Sequence, residues 1–411
     1  MRTLFTASDW PGHYFCMVPL AWAFQAAGHE VRVACPAGQA TRIAHAGLVP
    51  APVLDGVDMG LMARLGCYVE ALRGLRTLPG LPLHPLTGEP LGSLDEFDIE
   101  THGPRIGAMI ADAIRRSHDG AVAFAREWRP DLVCHDLTAD EGALAARVLG
   151  VPAVFCPPGL FGSVEDEPGL RRDDADPTGS FERHGVDPWT REQIGYAADP
   201  SPESALPPFG AAHRFPVRYV PYNGPGAQPD WAARRPAGRR VVILWGSSSA
   251  DSADRSAVLL AAVDAATQAG AEVVLTTAPG PQPGLDRLPA GVRRLENFPL
   301  RLLLAEGDTI IHHGSSNALM TAAAAGVPQV ALAVTEDHIA VSNRLARTGA
   351  VRVAPALAAE PEEVGAATLA VLTEPGYREA ALALREELAA APTPARLVAR
   401  LAALAGARPA R

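Results

Sequence analysis

The 411-residue chain contains no lysine; its 36 basic residues are all arginine. That absence excludes a Walker A lysine, a Schiff-base or pyridoxal-phosphate lysine and a kinase β3 lysine. Other signatures are missing too. No GxGxxG follows the first strand, and Gly314-Ser315-Ser316-Asn317-Ala318 has Ala where a GxSxG nucleophile elbow needs Gly. Cys16, Cys35, Cys67, Cys134 and Cys156 are odd in number, show no CxxC spacing, and read as reduced core residues of a cytoplasmic protein. The opening MRTLFTASDW lacks a basic leader and a cleavage site and reads as a first strand. The longest apolar stretch, Ala318 to Val334, is broken by Gly326 and Pro328, which argues against a membrane span. Acidic residues outnumber basic ones by 46 to 36, a formal net charge of −10. A broad nucleic-acid surface is thereby excluded, while local basic pockets are not.

What remains is ordinary globular material. At 48% hydrophobic and 20% charged, a chain of this length predicts two or three domains with separate cores. Strand and helix alternate from the start: strand Leu4–Ala7, a helical stretch to Ala27 with Gly28 as its cap, then strand Val31–Ala34. The pattern resumes with strand Asp131–His135, a helix through Leu149, and strand Pro152–Cys156. Residues 55–105 and 157–215 are irregular and read as long loops, functional or mobile. Four prolines punctuate 221–238, the expected connection between halves. A second series follows: strand Val241–Trp245, helix near 254–269, strand Glu272–Thr276, strand Val292–Leu295, a short helix near 300–305 and strand Thr309–His312. Helix 316–325, strand Gln329–Ala333, helix 338–347 and terminal helices over about 377–405 complete it. Two doubly wound α/β domains are the expectation.

Ligands of open parallel sheets bind where strands end and helices begin. Four such loops carry chemistry. Ser8 to His13 follows the first strand, and His13 reads either as a general base matched to neutral pH or as a loop or capping histidine. Asp136 ends the strand at 131–135; it either accepts from His13, fixing the tautomer, or caps the next helix. His312-His313-Gly314-Ser315-Ser316-Asn317 offers backbone N–H groups and imidazoles at a helix start, an anion site or capping alone. With no third and fourth ligands at the usual spacing, the two histidines are not a metal motif. Asp337, beside Glu336 and His338, opens the next helix as a dipole partner or a contact to ligand hydroxyls. Gly246-Ser247-Ser248-Ser249 is a further phosphate loop or a turn.

Three stretches resemble a known family: PGHYFCMVPLAWAFQAAGHEVRVA, RYVPYNGPGAQPDW and NFPLRLLLAEGDTIIHHGSSNALMTAAAAGVPQVALAVTEDH. They look like the first βαβ, the linker and the donor signature of GT-B glycosyltransferases of antibiotic biosynthesis, the subgroup using TDP-deoxysugars on macrolide and aromatic polyketide aglycones. The resemblance covers most of the chain and is weakest at 55–105 and 160–215. It implies a GT-B architecture of two Rossmann-like domains facing a central cleft: 1–220 for the acceptor, 221–238 as linker, 239–390 for the nucleotide-sugar donor, and 391–411 as a helix returning to the first domain. It implies His13 as catalytic base and Asp136 as its partner acid. Donor binding falls to His312, Gly314, Ser315, Ser316, Asn317, Asp337, His338, Ser247 and the backbone of Phe298. The implied reaction is inverting and metal-independent, with no cofactor beyond the nucleotide-sugar co-substrate. The implied partners are a hydrophobic aglycone and, as in that subgroup, an auxiliary activator protein; a homodimer is left open.

The chain departs from the family's usual HHGGxGT, with Ser315, Asn317 and Ala318 in place of Gly, Gly and Thr. Side chains at 315 and 317 narrow a diphosphate cradle, and Ala318 removes a hydroxyl. His338 replaces the family's glutamine and changes which sugar hydroxyls or amino group can be met. The altered loop motivates an alternative, a non-catalytic GT-B-like partner or activator of another glycosyltransferase. A third reading is a nucleotide-sugar epimerase, which needs no acceptor.

Overall fold

The computed structural model describes all residues except Pro11, 77–79, Pro168, 172–175, Pro177, 246–254, 279–283, Leu357 and 407–411. In the amino-terminal half, β1 (Arg2–Thr6), α1 (Val18–Ala26), β2 (Glu30–Pro36), α2 (Ala40–His45) and β3 (Pro50–Leu54) come first. Then follow α3 (Met59–Leu72), α4 (Ile99–Trp128), β4 (Leu132–His135), α5 (Glu141–Leu149), β5 (Ala153–Phe155), α6 (Ser180–Arg183), β6 (Tyr196–Asp199) and β7 (His213–Pro216). The carboxy-terminal half runs β8 (Arg240–Trp245), α7 (Ser256–Gln268), β9 (Glu272–Thr277), β10 (Arg293–Glu296), α8 (Leu300–Leu304), β11 (Thr309–His312), α9 (Ser316–Ala325), β12 (Gln329–Ala333), α10 (Glu336–Ala346) and β13 (Val351–Pro355). Helices α11 (Pro361–Thr373), α12 (Pro375–Ala390) and α13 (Pro394–Gly406) end the chain.

Among the described residues the strands form two parallel sheets, ordered β3-β2-β1-β4-β5-β6-β7 and β10-β9-β8-β11-β12-β13. Helices cover both faces, so the central strands are apolar throughout: all of β4 and β12 is buried. In each sheet the order reverses at one point, between β1 and β4 and between β8 and β11, the place where open parallel sheets bind their ligands. Fold class therefore follows the alternation in the sequence.

Two irregular stretches hold more structure than their composition suggests. Within 55–105, α3 is capped by the Asp58 carboxylate, which accepts from the Leu61 N–H at 2.9 Å. Within 157–215, β6 and β7 extend the first sheet by four-residue strands, YAAD and HRFP, too short and too polar to show a period. The free cysteines divide: Cys35, Cys134 and Cys156 are buried, whereas Cys16 and Cys67 are half-buried.

The halves share a core. Leu137, Phe155, Leu160 and Phe161 of the first pack with Leu319, Met320, Val341 and Leu345 of the second. The returning α13 buries Leu397, Val398 and Leu401 among Val18, Phe24 and Tyr222. Gly169, at φ +80°, lets the chain touch α10: a Cβ there would stand 2.5 Å from the Glu336 carbonyl carbon. Below it, the buried Arg344 guanidinium of α10 donates to the Leu160 carbonyl (2.7 Å), Glu165 (2.7 and 3.0 Å) and Glu167 (3.0 Å). An apolar seam and one ionic clasp thus fix α10 against the segment following β5.

Candidate active site

β1 and β4 are neighbours in register, Thr6 opposite His135, so the loops leaving them stand side by side. His13 enters a single turn (Tyr14–Cys16) ahead of α1, in the capping position but without a capping bond from its side chain. Its Nδ1 instead lies 2.9 Å from Thr138 Oγ and 3.2 Å from Ser8 Oγ. Asp136 is 2% exposed and held in place by backbone: Oδ2 accepts from the Ser8 N–H (2.8 Å), and Oδ1 from the Thr138 N–H (2.7 Å) and hydroxyl (3.3 Å). Asp136 does not cap α5, since Asp140 occupies that position.

Thr138 thus stands between the acid and the imidazole. A carboxylate only accepts, so the Thr138 hydroxyl hydrogen points to Asp136 and its oxygen accepts from His13 Nδ1–H. That fixes the tautomer and leaves Nε2 as the basic nitrogen. The link is carried by a residue to which the sequence assigned no role; its one signal was the Asp-x-Thr spacing of an Asx turn.

The carboxy-terminal loops meet in the same way, because β11 and β12 are adjacent. His312 is wholly buried: Nε2 lies 2.9 Å from Gln329 Oε1, and Nδ1 accepts from the Gly314 N–H at 3.0 Å. Both nitrogens are spent inside the protein, and burial pushes its pKa down to about 4. The neutral ring braces the loop from beneath, its two nitrogens bonded to Gln329 and to the Gly314 N–H. His313 is 7% exposed, its Nδ1 is buried without a partner, and its ring lies 5.3 Å from that of His338. Burial holds both rings below the usual histidine range, with the Arg255 guanidinium adding to the effect.

Gly314, at φ +88°, makes the turn; a Cβ would come within 3.0 Å of Ser342 Oγ and 3.2 Å of Ala333 Cβ. Ser315 holds the N-cap position of α9 without a capping side-chain bond, and the Ser316 hydroxyl behind it is buried without a partner. Asp337 and His338 open α10, where Thr335 Oγ and His338 Nδ1 are likewise buried and unpartnered. Four such atoms around two helix starts are expensive, at about 1–3 kcal/mol each, unless a polar ligand meets them.

Phe298 follows β10, and its N–H approaches Thr276 Oγ at 3.4 Å. Ser247 lies outside the described residues. Arg255, ahead of α7, stacks its guanidinium 5.0 Å from the Trp245 ring at the end of β8; only the exclusion of lysine pointed toward an arginine here. The two rims touch through Asn317, whose Nδ2 donates to the Gly12 carbonyl at 2.5 Å. Among the described residues no three His, Cys, Asp or Glu side chains are grouped to hold a metal ion. No helix among them is long and apolar enough to cross a membrane.

Known proteins with this sequence pattern and architecture are sugar transferases. The erythromycin biosynthesis protein CIII-like models match here, the N-terminal domain over residues 22–74 and 108–246 and the C-terminal domain over 260–404. The TDP-daunosamine transferase DnrS of Streptomyces peucetius is 32% identical, covering 97% of this chain and 95% of its own length. The L-demethylnoviosyl transferase of Streptomyces niveus is 33% identical, over 98% of each. Among solved structures, the glycosyltransferase SnogD from Streptomyces nogalater has a TM-score of 0.70 at 33% identity over 99% of both chains. The glycosyltransferase VinC in complex with dTDP has a TM-score of 0.72 at 26% identity, covering 99% of this chain and 100% of its own. The chain belongs to the erythromycin biosynthesis protein CIII-like family and is a glycosyltransferase of GT-B fold.

Proposed function

We propose that this enzyme transfers a deoxysugar from a nucleotide diphosphate, TDP in preference to UDP, to a hydrophobic natural-product aglycone with inversion at the anomeric carbon. His13 Nε2 takes the proton of the acceptor hydroxyl as its oxygen attacks that carbon. The bond from the anomeric carbon to the diphosphate oxygen breaks, and the electron pair leaves with the diphosphate. Asp136, acting through Thr138, steadies the imidazolium that forms.

Charge grows on the leaving diphosphate, and the α9 N-terminus, the Ser316 hydroxyl, His313 and Arg255 stabilise it. His312 supports the diphosphate loop from beneath and His313 faces it, with Gly314, Ser315 and Asn317 forming the turn. Asp337 and His338 meet sugar hydroxyls or an amino group, and the Phe298 backbone meets the base. The route needs no metal, because fixed donors and the guanidinium supply the countercharge. The localisation that goes with it is the cytoplasm, where the nucleotide sugar is available.

The observation that carries this reading is the set of four buried, unpartnered polar atoms at the α9 and α10 starts, joined through Asn317 to the loop holding His13. A relative named for a TDP-sugar and a neighbour solved with dTDP support TDP as the nucleotide. The test is mass spectrometry of products from TDP- and UDP-sugars crossed with polyketide aglycones. An aglycone heavier by one deoxysugar is expected. An altered sugar nucleotide formed without acceptor would replace the reading with epimerisation. Absence of any transfer, together with activation of a second transferase, would replace it with a non-catalytic partner.

A further inference from the structure

The Asn317 side chain does something that a glycine at this position could not. It lies in the first turn of α9, where the proposed diphosphate sits. Yet its amide reaches across the cleft: Nδ2 donates to the Gly12 carbonyl at 2.5 Å. The next residue in that loop is His13, whose own N–H closes a turn back to the Trp10 carbonyl at 3.1 Å.

The orientation of the amide is set from behind. The Tyr219 hydroxyl, on the chain leading out of β7, lies 3.4 Å from Asn317 Oδ1 and from the Asn317 carbonyl, and 3.3 Å from Thr321 Oγ. Burial raises the Tyr219 pKa, so the phenol stays protonated and donates. A donor facing Oδ1 and a carbonyl facing Nδ2 agree on one orientation of the amide. Asn223 secures the same helix by donating to Thr321 Oγ at 3.1 Å, while its own Oδ1 accepts from the Arg301 N–H at 3.0 Å. Three segments therefore converge on one residue: the base loop, the interdomain chain and the donor helix.

We infer that Asn317 is a positioning residue, a latch that holds the His13 loop at the N-terminus of the donor helix and so sets the base against the anomeric carbon. The inference rests on the proposed transfer reaction for its kinetic consequence, but not for its structural one. Small misplacements of reacting groups reduce turnover without reducing affinity. The latch therefore predicts a loss in kcat that is separate from donor KM.

The experiment compares the full-length protein with Asn317→Gly and Tyr219→Phe. In Asn317→Gly, kcat should fall on the order of 10-fold while donor KM and TDP affinity by calorimetry change less than about twofold. Tyr219→Phe should move the same way by less. Hydrogen exchange of the Gly12 and His13 amides, measured with no nucleotide present, should quicken on removing the latch. Weakened TDP binding with kcat unchanged would make Asn317 a phosphate ligand and overturn the inference; unchanged exchange over residues 8–13 would also overturn it. Exchange needs no turnover. A wild-type protein that transfers no sugar, but whose Gly12 and His13 amides quicken in the variant, would sink the proposed function and leave the latch standing.

Discussion

The two histidine-bearing rims of the cleft use the same side chain in opposite ways. On the amino-terminal rim, His13 is half-buried among hydroxyls, with Thr138 joining it to a carboxylate that backbone N–H groups hold in place. On the carboxy-terminal rim, His312 is sealed beneath a loop, neutral, with one nitrogen donating to Gln329 and the other accepting from Gly314. The first arrangement suits a ring that gains and loses a proton; the second suits a ring that stays neutral near pH 7. Position at a strand end does not decide between them. Access to solvent and the partner on the second nitrogen do.

The difference can be broken most sharply at His13. His13→Ala should lower kcat by about 100- to 10,000-fold while leaving TDP affinity intact, as steady-state rates and calorimetry would read. Near-full turnover would remove the base assignment. The clasp between α10 and the segment following β5 comes next. Arg344→Met leaves Glu165, 5% exposed, as an uncompensated buried charge, and chemical denaturation should report a loss of about 3–5 kcal/mol. Adding Glu165→Gln should recover part of that loss; if the double variant is no more stable than the single, the pair is not coupled.

His312 gives a pH signature. Its folded pKa, about 4, lies below the roughly 6.5 of an unfolded histidine, so the unfolded chain takes up a proton first as pH falls. The stabilisation is therefore complete above pH 6.5 and lost between 6.5 and about 4, in an amount of roughly 3 kcal/mol. His313, pushed down in the same direction, adds to the slope. Denaturation midpoints for His312→Gln across that window should be flatter than those of the wild type. The smallest effect expected is at the relay: Thr138→Val removes the hydroxyl between His13 and Asp136, and kcat should drop by about 10-fold. A combined Thr138→Val, Asp136→Asn variant should then lose little more, because the two act as a unit.

How much of this was legible depended on whether the signal was local. Strand β11 and the start of α9 were readable to the residue, since an apolar run followed by small capping residues is a short-range pattern. The same reasoning picked out His13, Asp136 and Asp337 at strand ends. Strands β6 and β7 were not readable: YAAD and HRFP become strands only because the sheet offers them a neighbour. The roles of Thr138, Arg344 and Glu165 were not readable, because their partners lie more than a hundred residues away or across a turn whose geometry composition does not give.

By itself, then, the sequence determined two alternating α/β halves, a strand-end location for the chemistry and, through the lack of lysine, the kinds of group left to hold a diphosphate. Hydrophobic period, capping residues and side-chain inventory are properties of neighbours along the chain. The tertiary structure decided which of two adjacent histidines is sealed and which is left facing His338, that a threonine links acid to imidazole, and that Asn317 spans the cleft. Those outcomes depend on burial and on hydrogen-bond partners brought in from distant segments, and neither is encoded in any stretch shorter than the fold.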